Sequence, residues 1–248
     1  MRNMLSSTLT GLSLALILSG AAQAQAPKAG QDRKPRAVLE LFTSQGCSSC
    51  PAADALFVEL ARDPGLLVLT LPVDYWDYLG WKDTLAHAAF TQRQRGYAKS
   101  RGDGQIYTPQ AVIDGAAHAV ASDRQAMMQI IASRQPMPLP LDVNLDEAGG
   151  QIKVSVSGSA GPGSIWLLTV ARARTVAIQR GENRGREVSY ANIVRSMMRI
   201  GDWRGAPVSV DLPASLARQP DAETYVVLVH SDDGKVGRVI GAAKAPAF

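Results

Sequence analysis

Cysteine, histidine and aromatic side chains are scarce in this chain. Its 248 residues hold two cysteines, three histidines and 6% aromatics. Two cysteines exclude a multi-bridge disulfide scaffold. A closed zinc site needs four ligands, and His87, His118 and His230 show no paired spacing, so neither a metal nor a cofactor is expected. A basic face interleaved with aromatics is also missing. The modest cluster Arg172, Arg174, Arg180, Arg184 and Arg186 reads as solvated strand edges and loops, which gives nucleic-acid binding no support. Beyond the first two dozen residues no apolar run is long enough to span a bilayer, so the mature protein is expected to have no membrane span.

What is present begins with a targeting pattern. Arg2 is followed by the apolar stretch Leu12–Leu18 and then by Ala22-Gln23-Ala24, overlapped by Ala24-Gln25-Ala26. A charged start, a short apolar run and small residues at a cleavage position define a secretory signal peptide. Residues 1–26 are therefore expected to be removed and the protein to be periplasmic or secreted. Residues 27–36 read as a polar linker, with Pro27 and Pro35. Loss of Arg2 takes the net charge from +4 to +3, a mild basic excess.

The two cysteines, Cys47 and Cys50, stand two residues apart where an apolar strand gives way to a helix. Unpaired N–H groups and the positive end of the helix dipole favour a thiolate there. As a staple, so small a loop contributes only about 2 kcal/mol in the chain-entropy model. In an oxidising compartment the spacing points to a catalytic or redox-responsive pair. Soft thiolates also suit copper(I), which leaves a copper-binding reading open.

The pattern predicts a strand over Ala37–Phe42, a helix over Asp54–Arg62 and a doubly covered strand over Leu66–Val73. A helix is predicted over Lys82–Lys99, then a strand after Pro109 that turns at Asp114-Gly115 into Ala116–Val120. Ser122-Asp123-Arg124-Gln125 fits a capping box before a helix with Met127, Met128, Ile130 and Ile131. This order defines an α/β unit over 37–136. Residues 141–248 read as short strands: Leu141–Leu145, Ile152–Ser157, Ile165–Ile178, Val188–Ile200, Val208–Leu212, Tyr225–His230 and Val236–Ala242. They suggest an antiparallel β-sandwich-like domain, with a helix over Tyr190–Arg199 as an alternative.

Gly46-Cys-Ser-Ser-Cys-Pro51, Thr108-Pro109 before a strand, and Asp114-Gly115 together resemble the thioredoxin superfamily, with a glutaredoxin-like active-site loop. Leu39–Asp54, Val73–Asp83, Tyr107-Thr-Pro-Gln110, Gly181-Glu-Asn-Arg-Gly185 and Tyr190–Arg195 resemble the exported bacterial family called domain of unknown function 1223. The resemblance covers essentially the whole mature chain. It implies a thioredoxin-like fold with an inserted helix at Lys82–Lys99, a β-rich addition, and a cis Thr108–Pro109 bond. The family has no established reaction.

These readings define a candidate site. Cys47 is the expected exposed nucleophile and Cys50 the resolving thiol. Ser48 and Ser49 are expected to donate hydrogen bonds to the Cys47 sulfur. The resemblance makes Thr108 and Pro109 a docking edge for substrate backbone. Asp74 either relays a proton to Cys50 or caps the following turn. Glu40 lies one residue away from the buried acid of thioredoxins and inherits no role. Tyr75, Trp76, Tyr78 and Trp81 are either an exposed rim or the cover of an insertion. The Gly181–Gly185 loop either binds an anion or docks the two parts of the chain. The leading expectation is a thiol–disulfide oxidoreductase acting on protein thiols or disulfides, with a membrane electron donor or acceptor as a further partner. The alternative is a non-enzymatic thioredoxin-like module that binds copper(I) or a protein.

Overall fold

The computed structural model describes residues 34–134, 137–231, 236–246 and 248. The expected signal peptide and most of the linker lie outside the described residues, as do Pro136 and the Asp232-Asp233-Gly234 turn. Within the described residues, no helix is long and apolar enough to cross a membrane.

The protein is mixed α/β. Its N-terminal part runs β1 (Ala37–Thr43), α1 (Cys50–Leu60), β2 (Leu66–Pro72), α2 (Ala88–Arg101), β3 (Gln110–Ile113), β4 (Ala117–Val120) and α3 (Arg124–Arg134). Strands β5 (Leu141–Ala148), β6 (Gln151–Gly158), β7 (Gly163–Ala177), β8 (Glu187–Trp203), β9 (Val208–Pro213), β10 (Thr224–Ser231) and β11 (Val239–Lys244) follow. Every residue of β1 and β2 is buried, as their near-continuous apolar runs require of strands covered on both faces. β1 pairs in parallel with β2 and antiparallel with β3. On one face α1 and α3 supply Leu56, Phe57, Met127 and Ile131 to a core with Leu39 and Leu41. Phe90 and Tyr97 of α2 join a second core with Phe42, Leu69 and Leu71.

The two parts of the chain share one sheet of eight strands, ordered β11-β10-β7-β8-β2-β1-β3-β4. The junction is the parallel pairing of Thr70 in β2 with Ile193 in β8, backed by the Thr70 hydroxyl donating to the Ala191 carbonyl at 2.7 Å. A separate three-stranded sheet, β5-β6-β9, shares an apolar core with β7, β10 and β11. Val143, Val154 and Val156 there meet Ile165, Leu167 and Val227.

Several local expectations change. Helix α1 starts at Cys50, not Asp54, with Pro51 in its first turn, where a missing N–H is harmless. Helix α2 starts at Ala88, not Lys82. The preceding segment is held away by Asp83, whose carboxylate accepts from the N–H groups of Gln45, Leu85 and Ala86. His87 then caps α2, its Nδ1 accepting from the Ala89 N–H. Asp123, not Ser122, caps α3 by accepting from Ala126 N–H at 2.9 Å. Tyr190–Arg199 is strand, because β8 pairs with β7 from Glu187 to Trp203. The Asp114-Gly115 turn forms as expected, with φ of 49° and 63°, a conformation these two residue types tolerate.

Candidate functional site

The site lies where β1 ends. Thr43 closes the strand, residues 44–49 form a loop, and Cys50 opens α1. Cys47 and Cys50 are joined as a disulfide. Ser49 Oγ lies 3.4 Å from Cys47 Sγ, but the Ser48 N–H turns instead to Glu182 Oε2 at 3.3 Å. Both serines are exposed. Cys47, expected to be exposed, retains only 3% of its surface, and Cys50 retains none. Packing beside the loop is tight: a Cβ at Gly46 would come within 3.0 Å of Trp76 Cβ.

The Gly181–Gly185 loop docks onto this turn. Asn183 is buried, and its side-chain amide donates to the carbonyls of Gln45 at 2.9 Å and Cys47 at 2.8 Å. Its own Oδ1 is buried with no partner. Gln45 is tied further to the Val73–Asp83 segment. The Trp81 indole N–H donates to Gln45 Oε1, and the Gln45 N–H donates to Asp83 Oδ2, both at 2.7 Å.

A buried carboxyl that the sequence reading passed over sits on the cysteine helix. Asp54 follows Cys50 by four residues, which places the two on one face of α1. The Thr43 hydroxyl donates to Asp54 Oδ1 at 2.7 Å, while Oδ2 is buried without a partner. Burial pushes this carboxyl well above its usual range, the Thr43 bond opposes that, and the nearby Asp83 charge adds to it. Asp83 itself is pushed up to about 6, because burial outweighs the N–H groups that favour its charge. The Tyr190 hydroxyl is raised by burial and then by the charges of Asp54 and Asp83. The pair is therefore flanked by acids held toward their neutral forms. The spacing of Asp54 from Cys50 was the available signal in the sequence.

Asp74 is placed otherwise. Its Oδ1 accepts from the Thr91 hydroxyl of α2 at 2.6 Å, and its carbonyl accepts from the Asp77 N–H. The Thr108–Pro109 bond is cis, with Pro109 buried. Trp76 links this edge to the cysteine loop: its indole N–H donates to Thr108 Oγ1 at 2.7 Å while its Cβ lies against Gly46. Tyr75 and Trp76 pack on one core and Trp81 on another, so these three are cover. Tyr78 is 76% exposed and stacks on Trp76.

Glu40 has a role the sequence did not disclose. Buried in β1, it receives Arg93 Nε and Nη2 at 2.6 and 2.8 Å and the Tyr97 hydroxyl at 2.7 Å. Arg93 Nη2 also donates to His230 Nε2 of β10. His118 contacts Tyr107 and Asp103. Among the described residues no group of three His, Cys, Asp or Glu could hold a metal ion.

Fold and site together define a mixed α/β protein with a Cys-x-x-Cys disulfide at a strand-to-helix junction, closed over by a loop from its C-terminal strands. The chain belongs to the family described as protein of unknown function (DUF1223), which matches residues 38–230. It is similar to the crystal structure of protein AGR_C_4864 from Agrobacterium tumefaciens, with 31% identity, a TM-score of 0.76, and coverage of 85% of this chain and 94% of that one. It also shares its fold with HBP35 of Porphyromonas gingivalis, at 13% identity and a TM-score of 0.55, over 86% of this chain and 74% of that one. No curated protein matches.

Proposed function

We propose that this chain is an exported thiol–disulfide oxidoreductase that works on protein cysteines in the periplasm or outside the cell. The observation that carries the reading is the Cys47–Cys50 disulfide at the start of α1 with Asp54 buried four residues on. The order β1–α1–β2–α2–β3–β4–α3, with β1 parallel to β2 and antiparallel to β3, supports a thioredoxin-like unit in which α2 connects β2 to β3. The β5-β6-β9 sheet facing β7, β10 and β11 supports a sandwich-like addition.

Cys47 is the attacking sulfur and Cys50 the resolving one. Cys50 has no exposed surface, so its proton needs a carrier inside the protein. Asp54 fills that role, with its unpartnered Oδ2 free to hold the proton. Ser49 steadies the Cys47 sulfur, and Thr108 and Pro109 present the docking edge for the substrate backbone. A membrane protein is the electron donor or acceptor.

One observation favours the rival module that holds copper(I) or a protein partner: both sulfurs are almost fully covered. A single preparation separates the two. The reduction potential of the pair is measured on the mature protein, and exchange with a protein disulfide and copper content are measured on it and on Cys47→Ser. Exchange lost in Cys47→Ser, with a potential above about −300 mV, supports the oxidoreductase. A pair locked below roughly that value sinks it. Stoichiometric copper without exchange establishes the module.

A further inference from the structure

Glu182 belongs to the C-terminal part of the chain, yet its carboxylate sits at the N-terminal end of α1. Its Oε2 accepts the Ser48 N–H at 3.3 Å, between the two cysteines. The loop is not a loose contact. Asn183, the next residue, is 1% exposed and anchors it through the carbonyls of Gln45 and Cys47. Gly181 lies against Trp81, where an added Cβ would be 3.3 Å from Trp81 Cβ.

The charge has a consequence for sulfur chemistry. A helix N-terminus favours a thiolate through free N–H groups and the positive end of the dipole. Glu182 takes the Ser48 N–H, one residue before the N-cap Ser49, and adds a negative charge at this end of the helix. The buried groups on this side of the loop are Asp54 and Asp83, with the Tyr190 hydroxyl facing both acids. Arg180, Arg184 and Arg186 flank Glu182 on its own loop and are exposed.

We propose that Glu182 is a positioning residue that holds Cys47 as a neutral thiol, so that the C-terminal strands bias the pair toward giving electrons. The inference rests on the oxidoreductase reading and adds its direction. A pair whose thiolate is disfavoured gains less from being reduced, so its disulfide is the favoured product. In that direction the Cys47 sulfur, having lost its proton, attacks a protein disulfide. A Cys47–substrate S–S bond forms, the substrate S–S bond breaks, and the leaving sulfur takes up a proton. The Cys50 sulfur then loses its proton, attacks Cys47, and releases the second substrate thiol. Two electrons and two protons pass to the substrate, and the Cys47–Cys50 disulfide is re-reduced by an external dithiol donor.

The test uses the reduced mature protein with Glu182→Gln and Glu182→Lys, both at an exposed position. Alkylation of Cys47 by iodoacetamide is followed across pH, and the pair is equilibrated with a thiol redox buffer. Glu182→Gln is expected to raise the alkylation rate at pH 7 by about 2- to 5-fold, the scale of one charge at a helix end. Glu182→Lys is expected to raise it further, and the potential to become less negative in the same order. Superimposable alkylation profiles for all three proteins overturn the proposal. If the parent exchanges with no protein disulfide while the alkylation shift remains, the oxidoreductase reading falls and the hold of Glu182 on Cys47 stands.

Discussion

The side-chain amide of Asn183 donates to the backbone carbonyl of Cys47 at 2.8 Å, across 136 residues of sequence. The second amide hydrogen goes to the Gln45 carbonyl. The Gln45 carbonyl depends on this one residue from the C-terminal strands, whereas the Cys47 carbonyl also accepts the Cys50 N–H at 3.2 Å. Asn183→Ala leaves the Gln45 carbonyl unsatisfied, at roughly 1–3 kcal/mol, and the Cys47 carbonyl with one donor. A loss of about 1–3 kcal/mol, or roughly 2–12 °C in melting temperature, is expected for a chain of this size. Asn183→Asp is expected to do no better, because a carboxylate cannot donate. Urea and thermal unfolding measure both, and an unchanged midpoint in Asn183→Ala would contradict this account of the docking.

Asp54→Asn separates a proton carrier from a spacer. The amide can still accept from the Thr43 hydroxyl. Asp54 is raised above its usual value by burial, so the folded state holds a proton that the unfolded chain loses above about 3.8. Its contribution opposes folding as pH rises past that point. Asp54→Asn is therefore expected to be more stable than the parent at pH 8 and indistinguishable from it near pH 3. Exchange is expected to slow by about 10²-fold, the lower end of the usual range for a positioned acid–base group. Unchanged exchange rates across pH would remove Asp54 from the mechanism.

These relationships were unequally visible in the sequence. Strands β1 and β2, the cysteine pair and the Asp114-Gly115 turn are written in adjacent residues, and each formed where the pattern placed it. The sheet of eight strands was not visible as one object, because the Thr70–Ile193 junction joins segments with no local sign of each other. Asp83 displaced the start of α2 for the same reason: its partner, Gln45, lies in another loop. Ser122 and Asp123 are both good caps, and propensity alone does not choose between neighbours. Glu40 was hidden because its meaning depends on Arg93 and His230.

The Glu40–Arg93 pair yields a clear contrast between breaking and replacing. Both side chains are buried, with Arg93 Nε and Nη2 on the two carboxylate oxygens. Burial alone would raise the Glu40 carboxyl, but the charge and hydrogen bonds of Arg93 prevail and hold it below the usual range. Arg93→Met strands a buried carboxylate and is expected to lose about 3–5 kcal/mol. The double variant Glu40→Leu with Arg93→Met is expected to recover at least half of that loss, because neither charge then remains buried. Denaturant midpoints of the parent, the two single variants and the double variant close the cycle. A double variant as unstable as the sum of the singles would show the two residues act independently.

His230 gives the same cluster a measurable response to acid. Its ring is 3% exposed, with Arg93 Nη2 donating to Nε2 and Nδ1 facing the Gly237 carbonyl at 3.1 Å. Burial, followed by the Arg93 charge, pushes its pKa down to about 4 from 6.5. The folded state thus keeps the ring neutral while the unfolded chain takes up a proton below about pH 6.5. Stability from this group is complete above that pH and is lost as pH falls through 4. A shift of this size corresponds to about 3 kcal/mol at full titration. Glu40 loses its contribution on acidification too, so the histidine share must be read as a difference. His230→Gln keeps an acceptor and a donor but does not titrate. It is expected to weaken the protein at pH 7 by about 1 kcal/mol through imperfect packing, and to approach or overtake the parent at pH 4.5. Unfolding free energies of both proteins at the two pH values decide it: parallel losses on acidification would mean that His230 is not the group that titrates.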